Sequence, residues 1–348
     1  MVNIAVAGGT GELAREVIDA ILSSPNKHSI LILTRSLPTS KTNPHNLPFE
    51  QVDYSDVQVL THIFLANKIH TVLSFIQVLH DPENISQKNL VEACVKAGVG
   101  RFAPSEYGGI TTPTSVLPGW QSKHLFSTYL TTLPSSQNLQ STLFHPSLLT
   151  NYLSPESSPF PTSQSSSPHS TPFQSHHITP LQTPFLNWKT HSALQIANHD
   201  PYITFTTAYD LARVVAYAIE YGGAWPEVGG IQGCRLRLSE LVEIAERVTG
   251  KKFHVEKVTL DDLKQGKWTP TWQPGLSHPI VSSSQQDPET IQTILKQVMI
   301  GILLTSIEGG WDVSDKWNQI IEKENKNFKF TGVEEFLRGV LLTESSQV

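Results

Sequence analysis

Cysteine is nearly absent: Cys94 and Cys234 are the only two in 348 residues, too few for a disulfide framework, and no Cys-x-x-Cys pair occurs. Basic charge is also scarce. Lys and Arg number 25 against 31 Asp and Glu, a formal net charge of −6, so no cationic field is available to hold a nucleic acid. No apolar run reaches the roughly 18 residues that a membrane-spanning helix requires. The first residues lack a basic segment followed by a long apolar one, the pattern of a secretory leader. These absences lead to the expectation of a cytoplasmic, reducing setting, with no nucleic acid and no membrane as partner. At 39% hydrophobic content the chain can bury a substantial core, divided between two lobes.

What is present begins at the N-terminus. Ile4–Ala5–Val6–Ala7 reads as a buried strand, and Gly8–Gly9–Thr10–Gly11 follows at once. Leu13, Val17, Ile18 and Ile21 then recur at helical spacing. Strand, glycine turn and helix in that order make a cradle for a dinucleotide. Gly8 allows the tight reversal. Gly11 lets main-chain N–H groups approach a pyrophosphate, and Ala14 lets the helix lie close to the strand. The helix N-terminus offers unpaired donors and partial positive charge. Gly8, Gly9, Thr10, Gly11, Glu12 and Leu13 are therefore the expected phosphate-side residues. The alternative is a plain structural turn, because glycine-rich turns are common in α/β proteins.

Ser29 to Thr34 reads as a second buried strand ending at Arg35, with Lys41 a little further on. In doubly wound folds the adenosine ribose lies at this strand end. A guanidinium there can grip a 2′-phosphate, so NADP(H) is expected over NAD(H); a solvated surface arginine is the bland alternative. Pro48–Asp53 is a third strand, and Asp53 either reaches the adenine amino group or caps the next helix, with Asp53–Tyr54–Ser55–Asp56 at its start. Thr71–Phe75 is the fourth strand, whose exit at Ser74 and Phe75 should pass the nicotinamide end of the cofactor. The helix carrying Leu90, Ala93, Cys94 and Ala97 feeds Arg101–Ser105, and Cys94 reads as packing. This alternation implies a parallel Rossmann sheet with helices on both faces, its cleft at the carboxyl ends of the strands. Ser105, Glu106 and Tyr107 should line that cleft.

Lys123 begins the following helix, where a side chain can project toward the nicotinamide. None of the eight tyrosines is followed four residues later by lysine, so the Tyr-x-x-x-Lys pair of ordinary short-chain dehydrogenases is missing and another group must manage the proton. A lysine in a partly apolar cleft can do so; a solvated helix lysine explains the same spacing.

Gly8–Gly11, Thr34–Arg35–Ser36, Arg101–Phe102–Ala103–Pro104–Ser105–Glu106–Tyr107–Gly108 and Lys123, taken together, resemble the NmrA-like, isoflavone-reductase-like family of atypical short-chain dehydrogenases. Ser141–Pro146, Ile203–Arg213 and Gly309–Val313 fit as well. The similarity spans nearly the whole chain and is closest to fungal members, many of them in secondary metabolism. It implies NADP(H) binding at the glycine turn, Arg35 and Lys41, with Lys123 as the catalytic or substrate-positioning base. The chain departs from the family at His145, where an arginine is usual, and at Phe126–Ser127, where a basic residue often stands. His145 is kept as a substrate-side candidate.

Composition changes at Ser154–Pro184, a stretch too rich in proline and serine for a helix or a core of its own. A mobile surface insertion is one reading. A lid over the substrate is the other, with Phe160, Phe173 and Phe185 as apolar contacts. His169, His176 and His177 have no Cys or carboxylate at ligand spacing, so no metal site is expected. Further on, Thr207–Asp210 and Thr331–Glu334 read as capping boxes and Ser239 as an N-cap.

The expected organisation is a dinucleotide-binding domain over 1–153, a Ser/Pro-rich insertion or lid with its connector over 154–202, a strand and helix over 203–223 returning to the first domain, and a smaller α/β substrate lobe over 224–348. The expected activity is an NADPH-dependent reduction of a small aromatic or polyketide-like metabolite. A non-catalytic NADP(H) sensor is one alternative, and an isomerase or cyclase on the same fold is another. Nothing in the sequence sets the oligomeric state.

Overall fold

The computed structural model describes residues 1–40, 42–134, 138–155, 177–179, 183–273 and 287–345. Lys41, Phe160, Phe173, His169 and His176 lie outside the described residues, as does most of the Ser/Pro-rich stretch.

A strand with no polar residue on either side of its pleat must be covered on both faces. β1 (Asn3–Ala7) is such a strand after its first residue, with Ile4 to Ala7 fully buried. It lies in a parallel sheet with β2 (Ser29–Thr34), β3 (Phe49–Gln51), β4 (Thr71–Ser74), β5 (Arg101–Ala103) and β6 (Gln140–Ser141). The spatial order β3-β2-β1-β4-β5-β6 reverses direction between β1 and β4. The loops leaving those two strands therefore diverge and open a crevice at their carboxyl ends.

α1 (Glu12–Leu22) buries Ala14, Val17, Ile18 and Ile21 on one face of the sheet, in one core with Leu211, Val214 and Ala218 of α5 (Ala208–Glu220). The opposite face carries α2 (Val57–Ala66), α3 (Ile85–Ala97) and α4 (Trp120–Thr131), whose Leu60, Phe64, Leu90, Cys94 and Phe126 form a second core. The fold is thus the expected doubly wound α/β sheet, and Cys94 is packing. Arg101 of β5 is structural: its guanidinium donates to the carbonyls of Ala218, Ile219, Tyr221 and Gly223 at 2.7–3.3 Å and lies over Trp225.

The rest of the chain adds a smaller lobe. β7 (Leu143–His145) pairs with β12 (Val228–Gly230), and β8 (Leu148–Leu149) pairs with β11 (Tyr202–Thr206), which also pairs with β13 (Cys234–Arg237). β9 (Leu186–Asn187) and β14 (His254–Val258) flank β10 (Ser192–Ile196). α6 (Leu238–Thr249), α7 (Leu260–Lys264), α8 (Pro288–Ile307), α9 (Lys316–Glu324) and α10 (Val333–Ser345) follow. α8 is long and apolar enough to cross a membrane by length and composition alone. Here its Leu295, Met299, Ile300 and Leu303 are buried, the last three in the lobe core with Phe336 and Leu337 of α10. α9 instead sends Trp317 and Ile321 into the core shared by α1 and α5.

Two capping assignments change. α6 begins at Leu238, and Ser239 donates from its N–H and hydroxyl to Asp200 at 2.9 and 2.8 Å. The Thr331 N–H goes to Asp210 at 2.8 Å, while Glu334 accepts from Arg247 and Arg338. Ser239 and Thr331 thus bond to carboxylates 39 and 121 positions away rather than closing their own helices. Thr207 does cap α5, its hydroxyl accepting from the Asp210 N–H at 3.0 Å.

Candidate active site

The glycine turn closes on itself, with Gly11 N–H donating to Gly8 O at 3.0 Å. Gly8 has φ +70°, and a Cβ there would stand 2.9 Å from the Phe75 carbonyl oxygen. Only glycine satisfies both conditions. A residue that pattern reasoning passed over braces the turn. Tyr54, buried at the start of the α2 segment, donates to Leu33 O at 2.9 Å and accepts from Gly8 N–H at 3.1 Å. Burial pushes its hydroxyl up to about 12, against the opposing effects of the Gly8 N–H and the Arg35 charge. Its only signal in the sequence is an apolar ring inside an otherwise polar cap.

α1 starts at Glu12 with Gly11 as its N-cap, and no side chain among the described residues caps it. Its first-turn N–H groups therefore face the cleft with the positive end of the helix dipole. Arg35 stands exposed at the end of β2, and Gly9 is buried in the turn. Asp53 is exposed and its Oδ1 accepts from Ser55 N–H at 2.8 Å, a bond that lowers its carboxyl below the usual range. The N-cap of α2 is Asp56, not Asp53, with its side chain accepting from Val59 N–H. Ser74 is buried within β4, its hydroxyl without a hydrogen-bond partner among the described residues.

A cleft of about 510 Å³ runs from this turn to the second lobe. Thr10, Gly11, Glu12 and Leu13 line one end, and Phe75, Ser105, Tyr107, Gly108 and Lys123 its middle. Leu148, Leu149, Tyr152, Trp120 and Trp311 close the far side. The Phe75 and Tyr107 rings stack with centroids 4.4 Å apart. Trp311 meets Trp120 edge to face at 4.8 Å and is held by its indole N–H on Ile302 O at 2.9 Å. Its own carbonyl accepts from the Ser147 hydroxyl. Trp120, Tyr152 and Trp311 had no local signal of a role, because their place in the wall depends on how the lobes meet.

Lys123 reaches this cleft from the first turn of α4, its Nζ donating to Ser105 O at 2.9 Å. The Ser105 N–H is fixed in turn by Gln87 Oε1 at 2.8 Å. Two expected cleft residues are not in the cleft wall. Glu106 is 1% and His145 4% exposed. The tight turn at 104–108, with Glu106 N–H on Pro104 O and Gly108 N–H on Glu106 O, alternates the direction of successive side chains. Desolvation raises the Glu106 carboxyl to about 7 despite Lys123, and burial with Lys123 lowers His145 to about 4. Burial likewise raises the Tyr107 hydroxyl.

The end of the Ser/Pro-rich stretch lies along α1. Thr179 donates to Glu12 from its N–H and hydroxyl at 3.0 and 2.7 Å. His177 meets Arg15 and Asp19, and buried Ile178 joins the cleft wall. Phe185 is a core residue of the second lobe rather than a substrate contact. Among the described residues no cluster of His, Cys, Asp or Glu is arranged to hold a metal ion.

A family model described as the NmrA-like family matches residues 2–272. Oxidoreductase BOA1 of Botryotinia fuckeliana is 27% identical over 73% of this chain and 78% of its own length. Oxidoreductase swnN of Metarhizium robertsii is 26% identical over 87% and 89% respectively. Among solved structures, the Citrobacter sp. triphenylmethane reductase complexed with NADP(H) superposes with a TM-score of 0.63 at 18% identity, covering 97% of this chain and 99% of that one.

Proposed function

Because the chain belongs to the NmrA-like family, we propose that it is an NADPH-dependent reductase of the isoflavone-reductase-like type, acting on a small aromatic or polyketide-like metabolite in the cytoplasm. The observation that carries this is a single cleft holding both the uncapped N-terminus of α1 and the amine of Lys123. The oxidoreductase names of the two fungal relatives and the NADP(H) held by the structural neighbour support it.

The residues fit the cofactor. The turn from Gly8 to Leu13 would take the pyrophosphate on main-chain N–H groups, and Arg35 would take the adenosine 2′-phosphate. Phe75, at the exit of β4 and in the cleft wall, would flank the nicotinamide half, whereas Ser74 lies buried behind it. NADPH, when bound, supplies the hydride. Lys123 holds a proton on Nζ for the substrate oxygen that gains charge, and Tyr107, Trp120 and Trp311 exclude water around it, which strengthens that one cation.

Fluorescence titration with NADPH and its consumption over a panel of aromatic ketones and enones test the reading. Lys123→Ala should lose roughly two to four orders of magnitude in turnover while keeping its NADPH affinity. Full turnover in that variant removes the role given to Lys123. Binding without consumption across the panel turns the reading to a cofactor sensor, and no binding of either nicotinamide nucleotide overturns it.

A further inference from the structure

α1 meets the cleft with its positive end, yet its first residue, Glu12, is an acid. A carboxylate in the first helical turn is drawn to the same unpaired N–H groups that would take a pyrophosphate. It competes with an anionic ligand for that end of the helix and repels it at close range. Glu16 and Asp19 follow Glu12 at spacings of four and three residues, so three acids share one stripe of the helix, and Arg15 is the one basic residue of α1.

The described end of the Ser/Pro-rich stretch, residues 177–179, takes up all three acids. Thr179 donates from its N–H to one oxygen of Glu12 at 3.0 Å and from its hydroxyl to the other at 2.7 Å. The His177 N–H donates to Glu16 Oε1 at 2.8 Å, and its Nε2 lies 2.9 Å from Asp19 Oδ2. Arg15 Nη1 meets the other ring nitrogen of His177 at 3.0 Å. Between these anchors Ile178, 3% exposed, joins the cleft wall. Glu12 lines the cleft too, whereas Thr179 stands outside that wall. Both oxygens of the acid are thus held by a residue that a ligand in the cleft would not touch.

We propose that Thr179 is a positioning residue for the dinucleotide: by engaging both oxygens of Glu12 it keeps that carboxylate from the N–H groups of α1 and leaves them to the phosphates. This role rests on the reading that a nicotinamide dinucleotide binds at the glycine turn, and it acts on binding rather than on turnover.

A double-mutant cycle read by NADPH fluorescence titration tests it. Thr179→Val keeps the shape of the side chain and removes the hydroxyl donor. It should weaken NADPH binding by about three- to tenfold, the range for one charge at a helix N-terminus. In a Glu12→Gln background the same substitution should change affinity by no more than about twofold, since no charge is left to release. Added salt should shrink the loss seen with Glu12 present, because screening weakens the repulsion. An equal loss in both backgrounds reduces Thr179 to a packing role and overturns the proposal, as does the absence of a loss in either. Hydrogen exchange of the protein alone needs no nucleotide. In Glu12→Ala the Thr179 amide loses its acceptor, and its exchange should quicken by about tenfold; unchanged exchange overturns the proposal. A wild type that binds neither NADPH nor NADH overturns the cofactor reading instead, and the exchange result still decides whether Glu12 holds Thr179.

Discussion

The Tyr54 hydroxyl bridges the end of β2 and the start of the glycine turn, donating to Leu33 O at 2.9 Å and accepting from Gly8 N–H at 3.1 Å. Leu33 O also accepts directly from Gly8 N–H at 3.0 Å, so the three groups close a triangle. Tyr54→Phe opens it but leaves the Gly8–Leu33 bond. The expected cost is about 1 kcal/mol, the value of one net hydrogen bond. Urea unfolding should show it, together with weaker NADPH binding from a looser turn. An unaltered midpoint and unaltered affinity would show that the phenol is a bystander.

Arg35 tests cofactor choice. Its guanidinium is exposed at the end of β2, where a 2′-phosphate would lie. Arg35→Asp should weaken NADPH binding by roughly ten- to a hundred-fold, the range for loss of a charge-assisted contact, and NADH binding much less. Equal losses for both nucleotides, measured by titration, would place the 2′-phosphate elsewhere.

Glu106 and His145 give stability opposite pH dependences. Glu106 is raised from 4.5 to about 7, so its contribution is present below pH 4.5 and lost as pH rises to 7. His145 is lowered from 6.5 to about 4, so its contribution is present above pH 6.5 and lost as pH falls to 4. Each is worth about 3 kcal/mol at its limit. Relative to wild type, Glu106→Gln should therefore gain stability between pH 5 and pH 8, and His145→Gln should lose relative stability over the same interval. Chemical denaturation at the two pH values decides it, and parallel profiles for all three proteins would refute the assignment.

Arg101 holds the carboxyl end of α5 through four carbonyls. Arg101→Met keeps much of the contact with Trp225 but removes the guanidinium donors from these carbonyls, of which Ala218 O retains the Trp225 indole N–H at 2.8 Å, and should cost about 2–4 kcal/mol. Thermal or chemical unfolding would reveal that loss. Lysine should rescue little of it, because one ammonium cannot span the four acceptors that a planar fork reaches.

Much of the architecture was legible from local pattern. Four fully buried residues before Gly8, the helical spacing after Gly11, and the repeated strand–helix alternation require a parallel sheet, because each feature depends on residues within one turn or one pleat. Lys123 was legible in the same way, as the first turn of a helix leaving a strand. Glu106 and His145 were misplaced into the cleft wall because a side chain's direction in a tight turn, or on a short strand, depends on register with neighbours that spacing does not reveal.

The order of residues alone dictated a strand, a glycine turn and a helix at the start of the chain, and the positive φ and close carbonyl at Gly8 are why that turn admits no side chain. Tertiary contact decided everything that depends on company kept at long range. Tyr54 braces a glycine 46 positions away, and Thr179 occupies a carboxylate 167 positions away. Whether Glu106 carries a charge is likewise a matter of what surrounds it, because desolvation is a property of a place in space and not of a position in the chain.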